Sequence, residues 1–504
     1  MLATVASATL VGVDGVPVTI EAHVAPGLPS FTVVGLPDAS CREARDRARA
    51  AILSSGFEWP QQRTTVNLAP TSIRKVGAGL DLGMAIAILV ASTQLPPAAL
   101  DGRAFIGELG LDGTLRHVPG TLSLVDAVES HEVVVPLASV PEAEVVSRLR
   151  VRCAPDLRRL VDALKADAPW PVNPDPPSPP AVPARVDLTE VRGHPVARRA
   201  LEVAAAGGHH MLMTGPPGSG KTMLAERLPG ILPDLDDRTS FEVTRVHSAA
   251  GLPFQGGLVR RPPLRSPHHG ASSVAIIGGG GAHLRPGEIS LAHGGVLFLD
   301  ELGEFPLAVL DQLRQPLEEG VVRIARAEHR ATLPARVLLV AAMNPCPCGE
   351  GLAPASCRCS DRSLERYRRR VSGPLLDRFD LRIDVMRPDP AHLLGGSPGD
   401  SSAVVAARVA TARARALERG VVVNASLSGA SLEEVAPLSP TAGEVLERAL
   451  VAGRLSARGF RRVWRVALTL ADLRGDDPPL AREHVAEALV LRSEPTFLLT
   501  RWAS

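Results

Sequence analysis

The sequence predicts a multidomain α/β protein with a phosphate-binding core in its middle and helices at its end. Three observations predict it. Met211 to Met213 form an apolar run leading into Gly215-Pro216-Pro217-Gly218-Ser219-Gly220-Lys221-Thr222, a fit to G-x-x-x-x-G-K-[ST] at every fixed position. Residues 167–185 are dense in proline and divide the chain before that core. Residues 403–504 carry apolar residues at helical spacing.

Composition narrows the class. At 504 residues the length suits about three domains. The chain is 45% apolar and 22% charged, which is globular, and its single tyrosine is Tyr367. A net charge of +1 means that any nucleic-acid contact must come from local basic patches. The longest apolar run, Met84 to Ala91, is too short to span a bilayer, and no basic stretch precedes an apolar one at the N-terminus. Four of the six cysteines sit in one cluster, which suits metal or reduced thiols more than a disulfide framework. The expectation is a cytoplasmic protein with no membrane partner.

Residues 1–166 read as one α/β domain. VGVDGVPVTIEAHV alternates on both sides of Asp14-Gly15, a hairpin signal. Ser40 to Ser54 reads as a basic amphipathic helix, Thr64 to Leu68 as a strand, and Leu82 to Ala91 as a buried helix. A second hairpin signal stands at Asp112-Gly113. In layout the region resembles the proteolytic domain of Lon-type proteases. LAPTSIRKVGAGLDLGMAIAIL is similar to the segment carrying their serine nucleophile, and GELGLDGTLRHVPG to the segment before their catalytic lysine. Gly79 stands where the serine would align, and His117 to His131 contains no lysine, so a serine–lysine pair cannot be assembled. Lys75 reads as a loop cap. The expected domain is Lon-protease-like and non-proteolytic. The linker, 167–185, reads as a semi-rigid polyproline spacer.

Residues 186–402 read as the ATPase domain. Glycines at 215, 218 and 220 let the backbone point its N–H groups at a nucleotide's phosphates. A helix starting near Gly220 adds its positive end. Lys221 reaches the β- and γ-phosphates, and the Thr222 hydroxyl can ligate Mg²⁺. The second half of the site is GGVLFLDELGEF. Val296 to Leu299 is a short apolar run of a strand buried on both faces, ending in Asp300, which can hold the Mg²⁺ shell, and Glu301, which can polarise the attacking water. The plain alternatives are a glycine turn and an acidic turn without a ligand.

The stretch after the phosphate-loop helix is rich in Gly and Pro and reads as inserted hairpins and loops, made basic by Arg260, Arg261, Arg265, His268, His269 and Arg285. For the His268-His269 pair a structural or phosphate-contact role is favoured over metal. Leu307 to Leu317 reads as a helix. Val321 to Ala325 and Ala331 to Leu333 flank Arg326 to Arg330 as a hairpin with a basic tip. With Arg323, Arg326 and Arg330 and no aromatics, it is a candidate to grip DNA by its phosphates, without sequence preference; a solvated basic turn is the bland alternative. Val337 to Ala341 reads as a buried strand ending near Asn344, which could position the lytic water. Cys346-x-Cys348 and Cys357-x-Cys359 can close a tetrahedral zinc site, although C-x-C is tighter than the usual spacing and four reduced thiols in a loop remain the alternative. Cys41 and Cys153 read as packing residues.

Taken together, GPPGSGKT, RPPLRSPHHGASS, PGEISLAHGGVLFLDELGEF, RQPLEEG, VAAMNPCPCG and SGPLLDRFD, in that order, resemble the Mg-chelatase-like AAA+ ATPases of the YifB/ComM family. The likeness covers essentially the whole chain. One departure is His194, where the AAA+ entry motif has glutamine. The resemblance implies an AAA+ P-loop motor with a C-terminal helical lid over 403–504, using ATP and Mg²⁺. It implies Asn344 as the sensor that orients water, Arg378 as an arginine finger reaching a neighbouring subunit's nucleotide, and Arg458 as the lid sensor. A finger acting in trans requires a ring, so a homo-hexamer is implied. It also implies a helicase driving branch migration of single-stranded or branched DNA in homologous recombination and natural transformation. The alternative is a magnesium-chelatase-type motor that remodels a protein partner.

Overall fold

The computed structural model describes residues 1–175, 186–254, 256–280, 284–325, 330–350, 357–395 and 399–493. Seven strands make the first sheet: β1 (Leu2–Val11), β2 (Asp14–Ala25), β3 (Ser30–Val34), β4 (Arg63–Ala69), β5 (Arg103–Phe105), β6 (Glu132–Pro136) and β7 (Arg150–Ala154). Their order is β3-β4-β2-β1-β5-β6-β7, antiparallel at β4-β2-β1 and parallel elsewhere. Alternation along the strands fills two cores: Val134 faces one, Val133 and Val135 the other. Helices α1 (Ala39–Ser54) and α2 (Asp81–Ala91) cover the first face, and α2 is buried along its whole length. Helix α3 (Thr121–Ala127) covers the second. Cys41 and Cys153 are buried, and Lys75 caps its loop by donating to the carbonyls of Pro70 and Ile73.

The first hairpin turns earlier than the Asp14-Gly15 signal suggested. Asp14 pairs with Val11 and Gly15 with Leu10, so the turn is Gly12-Val13. Gly12 supplies the positive φ, +67°. Gly15 lacks a side chain for another reason: a Cβ there would lie 1.9 Å from the Ser123 carbonyl oxygen of α3. The proline-rich linker also starts later than residue 167. The Arg152 guanidinium lies 5.3 Å from the Trp170 ring centroid, and Asn173 hydrogen-bonds Glu144 at 2.9 Å and the Val151 carbonyl at 3.2 Å. An indole offered a cation and apolar surface docks on them despite its proline neighbours. Residues 176–185 lie outside the described residues.

The second unit begins with α4 (Pro195–Gly207), whose first residue needs no amide partner. Then come β8 (Met211–Thr214), α5 (Lys221–Arg227), α6 (Asp237–Ala249), β9 (Leu264–Arg265), β10 (Val296–Leu299) and α7 (Leu307–Glu319). The antiparallel hairpin β11 (Val321–Ala325) and β12 (Arg330–Pro334) follows, then β13 (Leu338–Met343), α8 (Asp361–Arg368) and β14 (Leu381–Asp384). Strands β9-β10-β13-β8-β14 form an all-parallel sheet in that order. Its three central strands are buried residue by residue, as parallel strands covered on both faces must be. Helices α9 (Ser402–Glu418), α10 (Pro440–Val451), α11 (Ala457–Arg474) and α12 (Arg482–Val490) close the chain, and α9 and α11 pack on α4. Among the described helices, none is long and apolar enough to cross a membrane.

The two units are docked by specific contacts. Val13 joins the core formed by α7, the hairpin and β13. A Cβ on Gly12 would lie 2.8 Å from the Ala331 side chain of β12. Asp14 pairs with Arg245 of α6 at 2.9 Å. The buried Glu142 carboxylate accepts from the Leu122 amide at 2.8 Å and from the Ser248 hydroxyl of α6. Glu142→Ala should therefore leave two buried donors unpaired and cost roughly 1–3 kcal/mol. Urea denaturation should show this as a lower midpoint; an unchanged midpoint would mean that docking does not depend on this carboxylate.

Candidate functional site

Strand register assembles the site. Thr214 at the end of β8 pairs with Met343 at the end of β13, and Leu299 at the end of β10 pairs with Ala341. The next residues out, Gly215, Asn344 and Asp300, therefore leave the same edge of the sheet side by side. Gly215 must be glycine, since a Cβ there would lie 2.0 Å from the Val385 carbonyl oxygen beyond β14. Pro216 and Pro217 follow, then Gly218 and Gly220 with φ of +73° and +87°, either side of the buried Ser219. Gly220 caps α5, so the helix starts where the motif places it.

The polar groups converge. The Lys221 ammonium donates to the carbonyls of Gly215 at 2.7 Å and Pro216 at 2.9 Å, and to Asn344 Oδ1 at 3.3 Å. Burial lowers its pKa, offset in part by Asp300 and Glu301. The Thr222 hydroxyl donates to Asp300 Oδ2 at 2.8 Å, and Asp300 Oδ1 accepts from the Glu301 amide at 2.9 Å. A hydroxyl and a carboxylate oxygen brought together at a phosphate loop are the hard-oxygen donor set that suits Mg²⁺. Glu301 is exposed and lies in the left-handed backbone region at φ +53°. Its Oε2 is 3.1 Å from His269 Nδ1.

His269, read from the sequence as structural or phosphate-contacting, has a contact with Glu301 that motif reading missed. It follows β9, and only the strand order puts β9 beside β10 and so His269 beside Glu301. Tyr367 makes another: its hydroxyl donates to the Asn344 carbonyl at 3.0 Å. Arg378 and Arg458 stand elsewhere. Arg378 is 12% exposed and paired with Glu318 at 2.5 Å, and its carbonyl accepts from Arg462 of α11 at 3.0 Å. Burial lowers its pKa, and the charges of Arg462, Arg458 and Arg314 add to that against Glu318. Arg458 is exposed in the first turn of α11.

Known proteins match this chain in sequence. A family model described as magnesium chelatase, subunit ChlI, matches residues 187–393; the subunit ChlI model of Mg-chelatase matches 20–139, and the ChlI C-terminal model matches 399–492. YifB of Escherichia coli is 40% identical over 99% of this chain and 98% of its own length. The competence protein ComM of Haemophilus influenzae is 41% identical over 98% and 97%. An uncharacterised protein of Mycobacterium tuberculosis is 44% identical over 95% and 96%. The chain belongs to the YifB/ComM family of Mg-chelatase-like proteins. The five-stranded parallel sheet and helical C-terminus fit the AAA+ fold of that family, which points to ATP and Mg²⁺ as the ligands of the loop.

In this family member the four clustered cysteines come together. Sγ of Cys346 lies 3.3 Å from Cys348 and 3.8 Å from Cys357, and Cys348 lies 3.8 Å from Cys357. With Cys359, all four sulfurs fall within 4.8 Å of one another. The Glu350 amide holds the Cys348 thiol down to about 6, while burial pushes Cys346 up to about 12. The hairpin has two unlike faces. Val322, Ala331 and Leu333 are buried, whereas Arg323, Arg330 and Thr332 are exposed. Arg323 pairs with Glu319. Arg326, at the tip, lies outside the described residues.

Gly215→Ala should drive a methyl into the Val385 carbonyl and open the phosphate loop. Nucleotide affinity should fall at least about tenfold, roughly 1.4 kcal/mol or more, with the rest of the fold retained. Titration with a fluorescent ATP analogue measures it, and wild-type affinity would disprove the close approach.

Proposed function

We propose that the chain is an ATP-hydrolysing, homo-hexameric motor acting on DNA, a helicase or translocase that drives branch migration in homologous recombination and natural transformation. The observation that carries this reading is one of connection: the phosphate-loop site is joined through α7 and β13 to both ends of an arginine-bearing hairpin. The printed name of the Haemophilus relative, a competence protein, supports the DNA half.

Bound ATP would supply the phosphoryl group, and Mg²⁺ would offset its charge. Thr222 and Asp300 would hold the metal, and the loop amides and Lys221 the phosphates. Glu301 would accept a proton from water that Asn344 orients. Arg378 and Arg458 would complete the site of a neighbouring copy in a ring; within its own chain Arg378 pairs with Glu318. Arg323, Arg326 and Arg330 would contact DNA phosphates. The N-terminal domain would be Lon-protease-like without protease chemistry: Gly79 replaces the serine, and Lys75 is occupied by two carbonyls. Cys346, Cys348, Cys357 and Cys359 would hold a structural Zn²⁺.

A chelatase-type motor remodelling a protein partner is the second reading, favoured by the descriptions of all three matched family models. Unwinding of a branched DNA substrate by the purified protein, with ATP and Mg²⁺, separates the two. Its absence under conditions where ATP is hydrolysed would favour the chelatase-type motor.

Three variants test the parts. Glu301→Gln should bind ATP at wild-type affinity and hydrolyse it at least about a hundredfold more slowly, whereas Lys221→Ala should lose binding. Arg378→Ala should bind ATP and hydrolyse little, and mixing it with Glu301→Gln should restore some turnover; activity equal to wild type would place the finger elsewhere. Arg326→Ala with Arg330→Ala should keep basal hydrolysis and weaken DNA binding. The slope of log K against log salt should flatten by about 0.9 for each duplex phosphate contact removed. Unchanged unwinding would exclude the hairpin as the gripping element.

A further inference from the structure

We propose that the four cysteines form a zinc site whose closure positions the catalytic loops of the nucleotide site. The inference rests on the ATP-hydrolysis reading and on the zinc assignment, and it adds a role for the metal in turnover.

The sulfur geometry selects the occupant. A tetrahedral zinc with Zn–S bonds of about 2.3 Å sets its sulfurs about 3.8 Å apart. Two of the separations here are 3.8 Å and a third is 3.3 Å. A disulfide would bring two sulfurs to about 2.05 Å, and all six cysteines of the chain are unbonded. A multi-iron cluster would spread its cysteine sulfurs, because they are shared out among two or four irons. One soft-liganded tetrahedral ion fits the space.

The cluster's location gives the ion its role. Cys346 is two residues beyond Asn344, on the loop leaving β13. Cys348 precedes Gly349, where a Cβ would lie 2.5 Å from the Pro217 ring of the phosphate loop. Next, Glu350 accepts from Arg387 at 2.9 Å, and Arg387 Nε donates to the Pro217 carbonyl at 3.4 Å. Cys357 and Cys359 lead into α8, whose N-cap is Ser360. From α8, Tyr367 reaches back to the Asn344 carbonyl and lies against Gly303 in the loop after Glu301, where a Cβ would meet its ring at 2.8 Å. Joining the two cysteine pairs therefore joins the loop that braces Pro217 to the helix that braces Asn344 and the Glu301 loop. The metal is a staple across three parts of one site, and the cysteines are positioning residues.

The test uses the full chain, purified without a histidine tag. Elemental analysis should give about one zinc per chain. Organomercurial titration of the folded protein should release that zinc in step with a fall in kcat of at least tenfold. Removing the mercurial with thiol and adding ZnCl2 should restore turnover. Cys357→Ser should lose zinc and show the same loss of kcat, with circular dichroism unchanged; if that variant is insoluble, the titration decides. A zinc-free or iron-loaded preparation with full turnover would overturn the metal assignment. Zinc release that leaves kcat and KM unchanged would overturn the positioning role, and so would release that unfolds the whole chain. Wild-type zinc without any ATP turnover would leave the metal site standing and overturn the hydrolysis reading.

Discussion

The parallel register of three strands, β10, β13 and β8, is the constraint on which the nucleotide site depends. It brings the ends of three segments distant in sequence to one edge of a buried sheet. None of those segments holds its geometry alone. Lys221 is oriented by carbonyls of its own loop and by Asn344 from β13, and Thr222 is oriented by Asp300 from β10. A shift of any one strand would separate groups that now sit within hydrogen-bond distance. The continuous apolar runs Val296–Leu299 and Leu338–Met343 resist such a shift because they are buried on both faces. Burying the sheet between helices is therefore also what fixes the chemistry at its edge.

The N-terminal unit belongs to the same mechanical body. Its first turn enters the core beneath the hairpin, and its α3 region is tied through Glu142 to α6. The hairpin's apolar face is thus held from two sides, by α7 and by the β1–β2 turn, while its charged face is free to meet solvent. If the hairpin carries DNA, as proposed, its base cannot swing independently of the N-terminal unit.

Much of this was legible in the sequence, for reasons that differ by element. The phosphate loop announces itself because its left-handed curvature favours glycine, which Gly218 and Gly220 supply locally, whereas Gly215 answers to the Val385 carbonyl from beyond β14. The buried strands were legible as apolar runs, and the resemblance in motif order supplied the family. What stayed hidden depends on strand order and docking. Nothing near His269 signals Glu301, because the two are neighbours only through β9 and β10. The hairpin dipeptide Asp14-Gly15 misled by two residues because Gly15 serves close packing with α3 rather than the turn. Trp170 reads as linker from its prolines, yet docks because Arg152 offers it a cation.

Glu301 shows how such hidden contacts bear on catalysis. A glutamate in the left-handed region costs on the order of 1–3 kcal/mol, so its surroundings must impose the conformation. The cause is visible: Asp300 Oδ1 captures the Glu301 amide and turns the chain back. The carboxylate beyond that turn meets His269 at 3.1 Å. The same aspartate oxygens thus divide the work, one on the Glu301 amide and the other on Thr222. The carboxylate is exposed, and its placement comes from the left-handed backbone on one side and the imidazole of the neighbouring segment on the other. In the proposed reaction its position depends on the basic insert that carries His269 as well as on the strand that precedes Glu301.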